Sequence, residues 1–391
     1  MEGNIFITEI KINELRHLHD IVIPITKEGG PMKHLILTGK NGSGKTSVLD
    51  ALASLLQFSN YSKIVNNQSE IQKSNYCLDN TKNILQICFS KNNLNVHQEY
   101  VHGHFFTAFF KAKRMFDVLP VSAVEKIDTP QISSTETSTN KNFLKYLVFL
   151  RSKLTDASYR KDEFEKAKLE KWFYDFEGSL KNIFNDEQIH LRYDSSSLTF
   201  DIIQSEKSLF GFQTLSDGYA SFLNILTELM MRMENKKADA YDVQGIVLID
   251  EIETHLHIEL QKSILPFLTA FFPKVQFIVT THSPFILNSI ENAVIYDLEN
   301  KLLVEDASEI SYSALIQNYF LVNSEYSTLM EKKMNDFERL TAADNRSEND
   351  DEKLADLLMD LKTLSPLLSP EMKARFNQAQ RKILKSSSAK V

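Results

Sequence analysis

The chain has 391 residues, a formal net charge of −8, and 42% hydrophobic and 25% charged residues. That length leaves room for two or three domains' worth of core, and the composition is that of an ordinary soluble globular protein. The acidic balance argues against a surface that binds DNA all round, while allowing a local basic stripe. Cys77 and Cys88 have no metal-ligand or redox spacing, so reduced thiols are the default. The first residues, Met-Glu-Gly-Asn-Ile-Phe-Ile-Thr-Glu, lack the basic and apolar regions of a signal peptide. No run approaches the ~18 apolar residues of a membrane span. A cytoplasmic protein without a membrane segment is the expectation.

In chain order, residues 4 to 25 read as strands around a turn, with Ile5, Ile7, Ile10 and Ile12 before Leu15-Arg16-His17-Leu18-His19-Asp20 and an Ile-Val-Ile run after it. Gly29-Gly30-Pro31 breaks the chain. His34–Thr38 then reads as a short buried strand, and Thr46 onward as an amphipathic helix. Between them, Gly39-Lys40-Asn41-Gly42-Ser43-Gly44-Lys45-Thr46 fits G-x-x-x-x-G-K-[ST] at every fixed position. Glycines there let backbone N–H groups and a helix N-terminus converge on phosphate oxygens. Lys45 would reach the β/γ-phosphates and the Thr46 hydroxyl would ligate Mg²⁺. The motif implies nucleotide binding. Arg16 either approaches the nucleotide from the hairpin or is a solvated turn arginine.

Phe58 to Asn80 is polar and reads as a surface loop or loose helix, and strands are expected at Ile84–Ser90, Asn95–Val101 and His104–Phe110. The cations Lys111, Lys113 and Arg114 follow the last of these. They either face phosphate or nucleic acid, or are a solvated strand end. Residues 120 to 141 have the composition of a linker, and Asn142 to about Asn185 has helical periodicity, expected to give two or three inserted helices. Short strands are expected at 189–194 and 198–203. The last ninety residues read as mainly helical, with an acidic break at Asp344–Glu352 and a disordered Lys-Ser-Ser-Ser-Ala-Lys-Val tail.

Three further stretches bear on the phosphate loop. Gly245-Ile-Val-Leu-Ile-Asp250-Glu251 is an apolar strand ending in two carboxylates, the layout of a Walker B motif. Its apolar run belongs inside a parallel sheet, and the acids emerge at the strand's C-terminal end, where ligands of α/β sheets bind. Asp250 would hold Mg²⁺ through water and Glu251 would polarise the attacking water. Leu215-Ser216-Asp217-Gly218 opens a strongly apolar helix, and a Ser and Gly at a helix N-terminus can hold an anion. Val275 to Pro284 runs from a strand through Thr-Thr-His282-Ser283-Pro284, with Ser283 as N-cap of a new helix and His282 in the turn.

These four motifs, in this order, resemble the ABC-type ATPases of the SMC/RecF/OLD branch over residues 5 to about 305. The resemblance implies an α/β P-loop ATPase head with a mixed, largely parallel core sheet, an N-terminal antiparallel lobe, a helical insertion and a helical C-terminal region. It divides the chain into 1–118 (first lobe), 119–188 (linker and insertion), 189–305 (second lobe) and 306–391 (C-terminal region). By it, ATP and Mg²⁺ are the cofactors. Gly39, Asn41, Gly42, Ser43, Gly44, Lys45, Thr46 and Arg16 would line the nucleotide, with Thr46 and Asp250 at the metal. Two heads would sandwich two ATP molecules, Ser216, Asp217 and Gly218 of one closing on the γ-phosphate held by Lys45 of the other. Glu251 would be the catalytic base and His282 the switch histidine. Glu253, His255 and His257 fall where the family places its dimer interface. The family's Mg²⁺-contacting glutamine has no clear counterpart; Arg114 stands nearest to that place. The insertion is too short for a long coiled coil, and nothing after residue 305 resembles the Toprim nuclease of OLD proteins.

This architecture resembles ATPase subunits of anti-phage systems of the Septu, retron-associated and PARIS type, which work beside a separate effector, often a nuclease. A homodimer or higher oligomer and a nuclease-like partner are the expectation. The alternative is a repair or recombination ATPase that binds DNA directly through Lys111, Lys113, Arg114 and the insertion lysines. A transporter ATPase fits less well, because Asp250-Glu-Ile-Glu-Thr-His-Leu-His257 departs from the transporter pattern after the acids.

Overall fold

A computed structural model of the chain describes residues 4–27, 29–57, 77–79, 84–91, 93–114, 116–126, 139–204, 210–234, 243–305, 328–343, 346–364, 368 and 370–388. Two compact units emerge, Met1–Leu315 and Ile316–Val391. Most of the polar 58–80 segment and the middle of the 120–141 linker lie outside the described residues.

The first unit is built on three sheets. Strands β1 (Ile7–Leu15) and β2 (Leu18–Pro24) form the expected hairpin; β5 (Leu85–Phe89) and β4 (Cys77–Asp79) extend it into an antiparallel sheet of order β2-β1-β5-β4. The main sheet has the order β13-β12-β3-β11-β10-β6. Its strands are β3 (His34–Thr38), β6 (Phe105–Phe110), β10 (Gln244–Ile249), β11 (Val275–Thr280), β12 (Ala293–Asp297) and β13 (Leu302–Val304). All its pairings are parallel except that of the edge strand β13. Every residue of β3, β6, β11 and β12 is buried, as parallel strands covered on both faces must be. A third sheet, β7 (His190–Asp194), β8 (Thr199–Ile203) and β9 (Phe210–Gly211), is antiparallel.

Between the first sheet and the main sheet lies one core, which includes Ile10, Ile12 and Ile21 of the hairpin, Leu35 and Leu37 of β3, Phe105 and Phe109 of β6, and Val48, Leu49 and Leu52 of helix α1 (Lys45–Leu55). Two glutamines tie the N-terminal strand to the main sheet. Gln276 Oε1 accepts from the Ile7 amide at 2.7 Å and its Nε2 donates back to the Ile7 carbonyl at 2.9 Å, while Gln244 Oε1 accepts from the Ile5 amide at 2.7 Å. Such long-range ties satisfy amides that would otherwise be orphaned in the core.

Residues 93–101 correct the expected strand: Asn93–Val101 is helix α2. Its buried residues Val96 and Tyr100 are four apart, a helical repeat that so short a run does not separate from alternation. Cys88 is disulfide-bonded, against the expectation of reduced thiols. The β4–β5 register sets Cys88 opposite position 77, a relation that spacing along the chain does not show.

The insertion is a helical hairpin, α3 (Phe143–Arg160) and α4 (Glu163–Phe184). Lys161 turns the chain with φ of 57°, and the Asp162 carboxylate caps α4 by accepting from the Glu165 amide at 3.1 Å. Aromatic rings close the hairpin, Phe143 on Phe176 at 5.4 Å and Tyr146 on Trp172 at 5.6 Å between centroids. Helix α5 (Asp217–Glu234) meets β6, and α6 (Ile258–Phe271) meets β11; the short α7 (Pro284–Leu287) follows. A buried pair, Arg232 Nε to Glu228 Oε1 at 2.7 Å, fastens α5 to its surroundings. Glu228 also accepts from the amides of Thr139 and Asn140, and Arg232 donates to the Thr107 carbonyl.

The second unit contains α8 (Thr328–Ala342), α9 (Glu348–Leu364) and α10 (Pro370–Ser388). Leu354, Leu357 and Leu361 are buried there among Met334, Phe337, Met372 and Phe376, so the apolar face of α9 has a core within the unit itself. The expected acidic break is largely the first turn of α9. Ser347 Oγ accepts from the Asp350 amide at 3.2 Å and Asp350 accepts from the Ser347 amide at 3.1 Å, a reciprocal cap. Of the expected disordered tail, residues 385–388 continue α10, and residues 389–391 lie outside the described residues. Among the described residues, no helix is long and apolar enough to cross a membrane.

Candidate nucleotide site

The order β3-β11-β10 places three loops side by side at the C-terminal edge of the main sheet. The phosphate-loop stretch follows β3, the turn with Thr281 and His282 follows β11, and Asp250-Glu251 follows β10. This is the edge at which open α/β sheets bind ligands.

Gly39, Gly42 and Gly44 all have positive φ (131°, 85° and 99°), which winds the loop around the start of α1. At Gly44 an added Cβ would stand 2.7 Å from Leu18 Cδ1, so the β1–β2 turn lies directly against the loop and only glycine fits. Arg16 is exposed in that turn, with φ of 56°. Lys45 is buried at 6% exposure and donates to the carbonyls of Gly39 at 2.8 Å and Lys40 at 2.9 Å. Burial lowers the pKa of its ammonium, while Glu251, Asp250, Glu253 and Asp297 oppose that shift. Lys40 closes the loop's outer side, its amide and ammonium both donating to the Glu299 carboxylate at 3.2 and 2.8 Å.

Thr46 Oγ1 donates to Asp250 Oδ2 at 3.0 Å, and Thr280 Oγ1 donates to Asp250 Oδ1 at 2.6 Å. The same Thr280 oxygen accepts from the Glu251 amide at 2.7 Å. One buried hydroxyl at the end of β11 therefore fixes both acids of the β10 turn. Glu251 has φ of 45°, and its carboxylate accepts from Thr254 Oγ1 at 3.3 Å. The Glu253 carboxylate accepts from the His282 amide through Oε1, and among the described residues its buried Oε2 has no hydrogen-bond partner. Burial, then Lys45, lowers the His282 pKa, against the three acids. Ser283 caps α7 by accepting from the Phe285 amide at 3.1 Å, and its hydroxyl donates to Gln261 of α6 at 2.7 Å.

The structure thus brings together Lys45, Thr46, Asp250, Glu251, Glu253 and His282. It does not bring Ser216, Asp217 and Gly218 to them. Ser216 and Asp217 are exposed, and among the described residues no hydrogen bond or ion pair joins this segment to the phosphate loop. Gly218 lies instead on the β10 turn of its own chain, where an added Cβ would meet the His255 carbonyl at 2.9 Å. His255 and His257 are exposed. Arg114 is corrected outright. It is buried at 8% exposure, so it does not belong to a surface cluster with Lys111 and Lys113. Sequence reasoning gave Thr280 no role, although it lies within the Val275–Pro284 stretch already in view; only the adjacency of β11 to β10 gives it meaning.

The arrangement of a buried ammonium, a loop rich in amides and the Thr46–Asp250 oxygen pair suits a nucleotide polyphosphate with a hard divalent cation. Comparison with known proteins agrees. The family model described as "AAA domain, putative AbiEii toxin, Type IV TA system" matches residues 126–288. A Septu protein PtuA of Bacillus mycoides (strain KBAB4) is 28% identical over 323 residues, which cover 76% of this chain and 41% of that protein. A PtuA of Bacillus thuringiensis is 26% identical over 297 residues, covering 70% of this chain and 71% of that protein. The "Retron Ec83 probable ATPase" of Escherichia coli is 39% identical over 89 residues, 22% of this chain and 16% of that one.

The chain is similar over residues 126–288 to that AAA domain, and along much of its length to proteins of anti-phage systems, ATPases among them. Of solved structures, an Smc head bound to the C-terminal winged-helix domain of ScpA aligns with a TM-score of 0.40 at 12% identity, covering 76% of this chain and 96% of that one. The chain spans about two fifths of the first PtuA and about seven tenths of the second.

Proposed function

We propose that this ATPase binds ATP with Mg²⁺ between its own phosphate loop and the Ser216–Gly218 segment of a second copy, and hydrolyses it with Glu251 as general base. The observation that carries this is the Thr46–Asp250–Thr280–Glu251 network beside Lys45. It supports a fit to Mg²⁺-ATP, as do Ser43 Oγ in the loop and Glu253 Oε2, two buried oxygens with no hydrogen-bond partner among the described residues. Thr46 and Asp250 would hold the cation, which when bound neutralises charge on the phosphate oxygens. Lys45 and the loop amides orient the polyphosphate, Glu251 accepts a proton from the attacking water, and His282 follows the γ-phosphate. Residues 1–118 and 189–305 are the two lobes of this head.

The relatives named Septu and retron proteins support a role in phage defence, and a separately encoded effector of nuclease type is the partner this reading proposes. Direct DNA binding is less supported, because Arg114 is withdrawn from the basic cluster that the reading needs. The test is Glu251→Gln. With ATP the variant binds nucleotide, loses about 10³-fold in turnover, the scale of a general base, and accumulates as a closed assembly by size-exclusion chromatography. A metal-dependent nuclease co-purifying with that assembly supports the effector reading; unchanged hydrolysis removes Glu251 from its role.

A further inference from the structure

Arg114 lies just beyond the C-terminal end of β6, next to β10 in the main sheet. A guanidinium has five N–H groups in a fixed plane, and here all five are engaged. Nε donates to Ser221 Oγ on α5 at 3.1 Å. Nη1 donates to the Lys111 carbonyl at 3.2 Å and the Asp250 carbonyl at 2.7 Å. Nη2 donates to the carbonyls of Glu251 at 3.0 Å and Ile252 at 3.3 Å. Burial lowers its pKa to about 10, so it remains a cation at neutral pH.

Three consecutive carbonyls converge on this one group. Such a turn is not free-standing. It requires Glu251 at φ of 45°, a left-handed conformation that disfavours any side chain with a Cβ. The Glu251 peptide is held from both sides, its N–H by Thr280 and its C=O by Arg114. Ser221 is four residues from Asp217, in the first turns of the helix that the Leu215–Gly218 segment opens. The guanidinium is therefore a direct link between that helix and the acidic turn.

We propose that Arg114 is a positioning residue: it holds Glu251 in its working backbone conformation and couples the acidic turn to α5, so that displacement of α5 reaches the hydrolytic carboxylate. The coupling deepens the ATPase assignment above and rests on Glu251 acting as base. The geometric half, Arg114 holding the turn, rests on this structure alone.

Two readouts test it on the whole chain, with Arg114→Ala, Arg114→Lys and Ser221→Ala beside wild type. The first is hydrogen–deuterium exchange in peptides covering 250–256 and 217–222. Arg114→Ala and Arg114→Lys raise exchange at 250–256 at least tenfold, since one ammonium cannot span three carbonyls. Ser221→Ala, which keeps the guanidinium, raises it at 217–222. Unchanged exchange in the variants overturns the proposal whether or not the protein proves to be an ATPase.

The second readout is turnover with nucleotide affinity measured separately. The Arg114 variants lose about 100-fold in kcat, the scale of misplacing a catalytic group by about 1 Å, with nucleotide affinity within about threefold of wild type. Millimolar guanidinium restores part of the kcat of Arg114→Ala and none of that of Arg114→Lys, whose side chain fills the space. Ser221→Ala, the mildest change, decides the matter should the Arg114 variants fail to fold: kcat about tenfold lower at unchanged affinity supports the link, and an unchanged kcat overturns it. Parallel loss of affinity and kcat, without guanidinium rescue, likewise overturns it as a merely structural role. Absence of turnover in wild type itself is instead a failure of the ATPase assignment, leaving the exchange result to decide Arg114.

Discussion

The edge of the main sheet and the Leu215–Gly218 segment are both phosphate-facing in the proposed reaction, yet they are built in opposite ways. At the edge, the acidic turn is anchored by neighbouring elements. Thr280 on β11 holds Asp250 and Glu251 of the β10 turn, and Thr46 of α1 reaches the same Asp250. At the segment, Ser216 and Asp217 stand exposed, and Gly218 lies against the His255 carbonyl of its own chain. The difference teaches that, in the proposed reaction, the sheet edge is preorganised within the chain, at the cost of burying charge. By contrast, Ser216 and Asp217 stay exposed on their own chain, where the proposal has them serve a second copy. The predictions that follow attack the edge first and then the segment.

The largest effect falls on the buried cation of the phosphate loop. Lys45→Ala removes the ammonium at the centre of the loop, together with its bonds to the Gly39 and Lys40 carbonyls. ATP affinity measured with a fluorescent analogue is expected to fall by about 100-fold or more, as losing a buried charge partner costs 2–5 kcal/mol. Affinity within a few-fold of wild type removes the loop from nucleotide binding. Thr280→Val comes next. It keeps the shape of the side chain and strips the hydroxyl, leaving Asp250 Oδ1 and the Glu251 amide without their partner. Urea unfolding should show a loss of about 3 kcal/mol, since two buried groups are orphaned and one is charged. A neutral result breaks the claim that the edge is preorganised.

Those two residues also mark what the sequence disclosed. The phosphate loop and the Asp250-Glu251 strand are legible because their chemistry lies in local spacing: glycines, a lysine and a hydroxyl within eight residues, or acids closing an apolar run. Thr280 and Arg114 act through contacts set by the order β11-β10-β6, which no local pattern carries. Arg114 looked like a surface cation because two lysines flank it, whereas its five acceptors come from Ser221, Lys111 and the 250–252 turn. Short amphipathic pieces misled in another way, as α2 did. For α9, the sequence gives its apolar stripe but not the Met, Phe and Leu side chains of α8 and α10 that receive it.

Acid should take the preorganised edge apart from below. His34 opens the strand that leads into the phosphate loop; it is buried, and its Nδ1 accepts from the Phe277 amide at 3.1 Å. Burial lowers its pKa from 6.5 to about 4. The folded state then refuses a proton that the unfolded chain takes up, so stability is unaffected above pH 6.5 and falls as pH drops from there to about 4. The loss approaches 3 kcal/mol at the bottom of that window, at about 1.36 kcal/mol per pH unit. Urea midpoints measured across it should flatten in His34→Gln; an equal slope in both proteins places the acid sensitivity elsewhere.

The smallest change in stability tests the exposed segment. In Gly218→Ala the new Cβ meets the His255 carbonyl at 2.9 Å, so backbone on one side must shift. The expected cost is about 1–2 kcal/mol, the lower range for overpacking, so the chain stays folded and its own phosphate loop still binds ATP. Turnover nevertheless collapses if the segment serves a second copy. Mixing Gly218→Ala with Lys45→Ala then separates the two halves. A mixed pair contains one site with an intact Lys45 from one chain and an intact Gly218 from the other, and activity returns in the mixture although each variant alone is inactive. If both defects lay within one chain's own site, no mixture would recover, and the outward segment would be no more than a capped helix end.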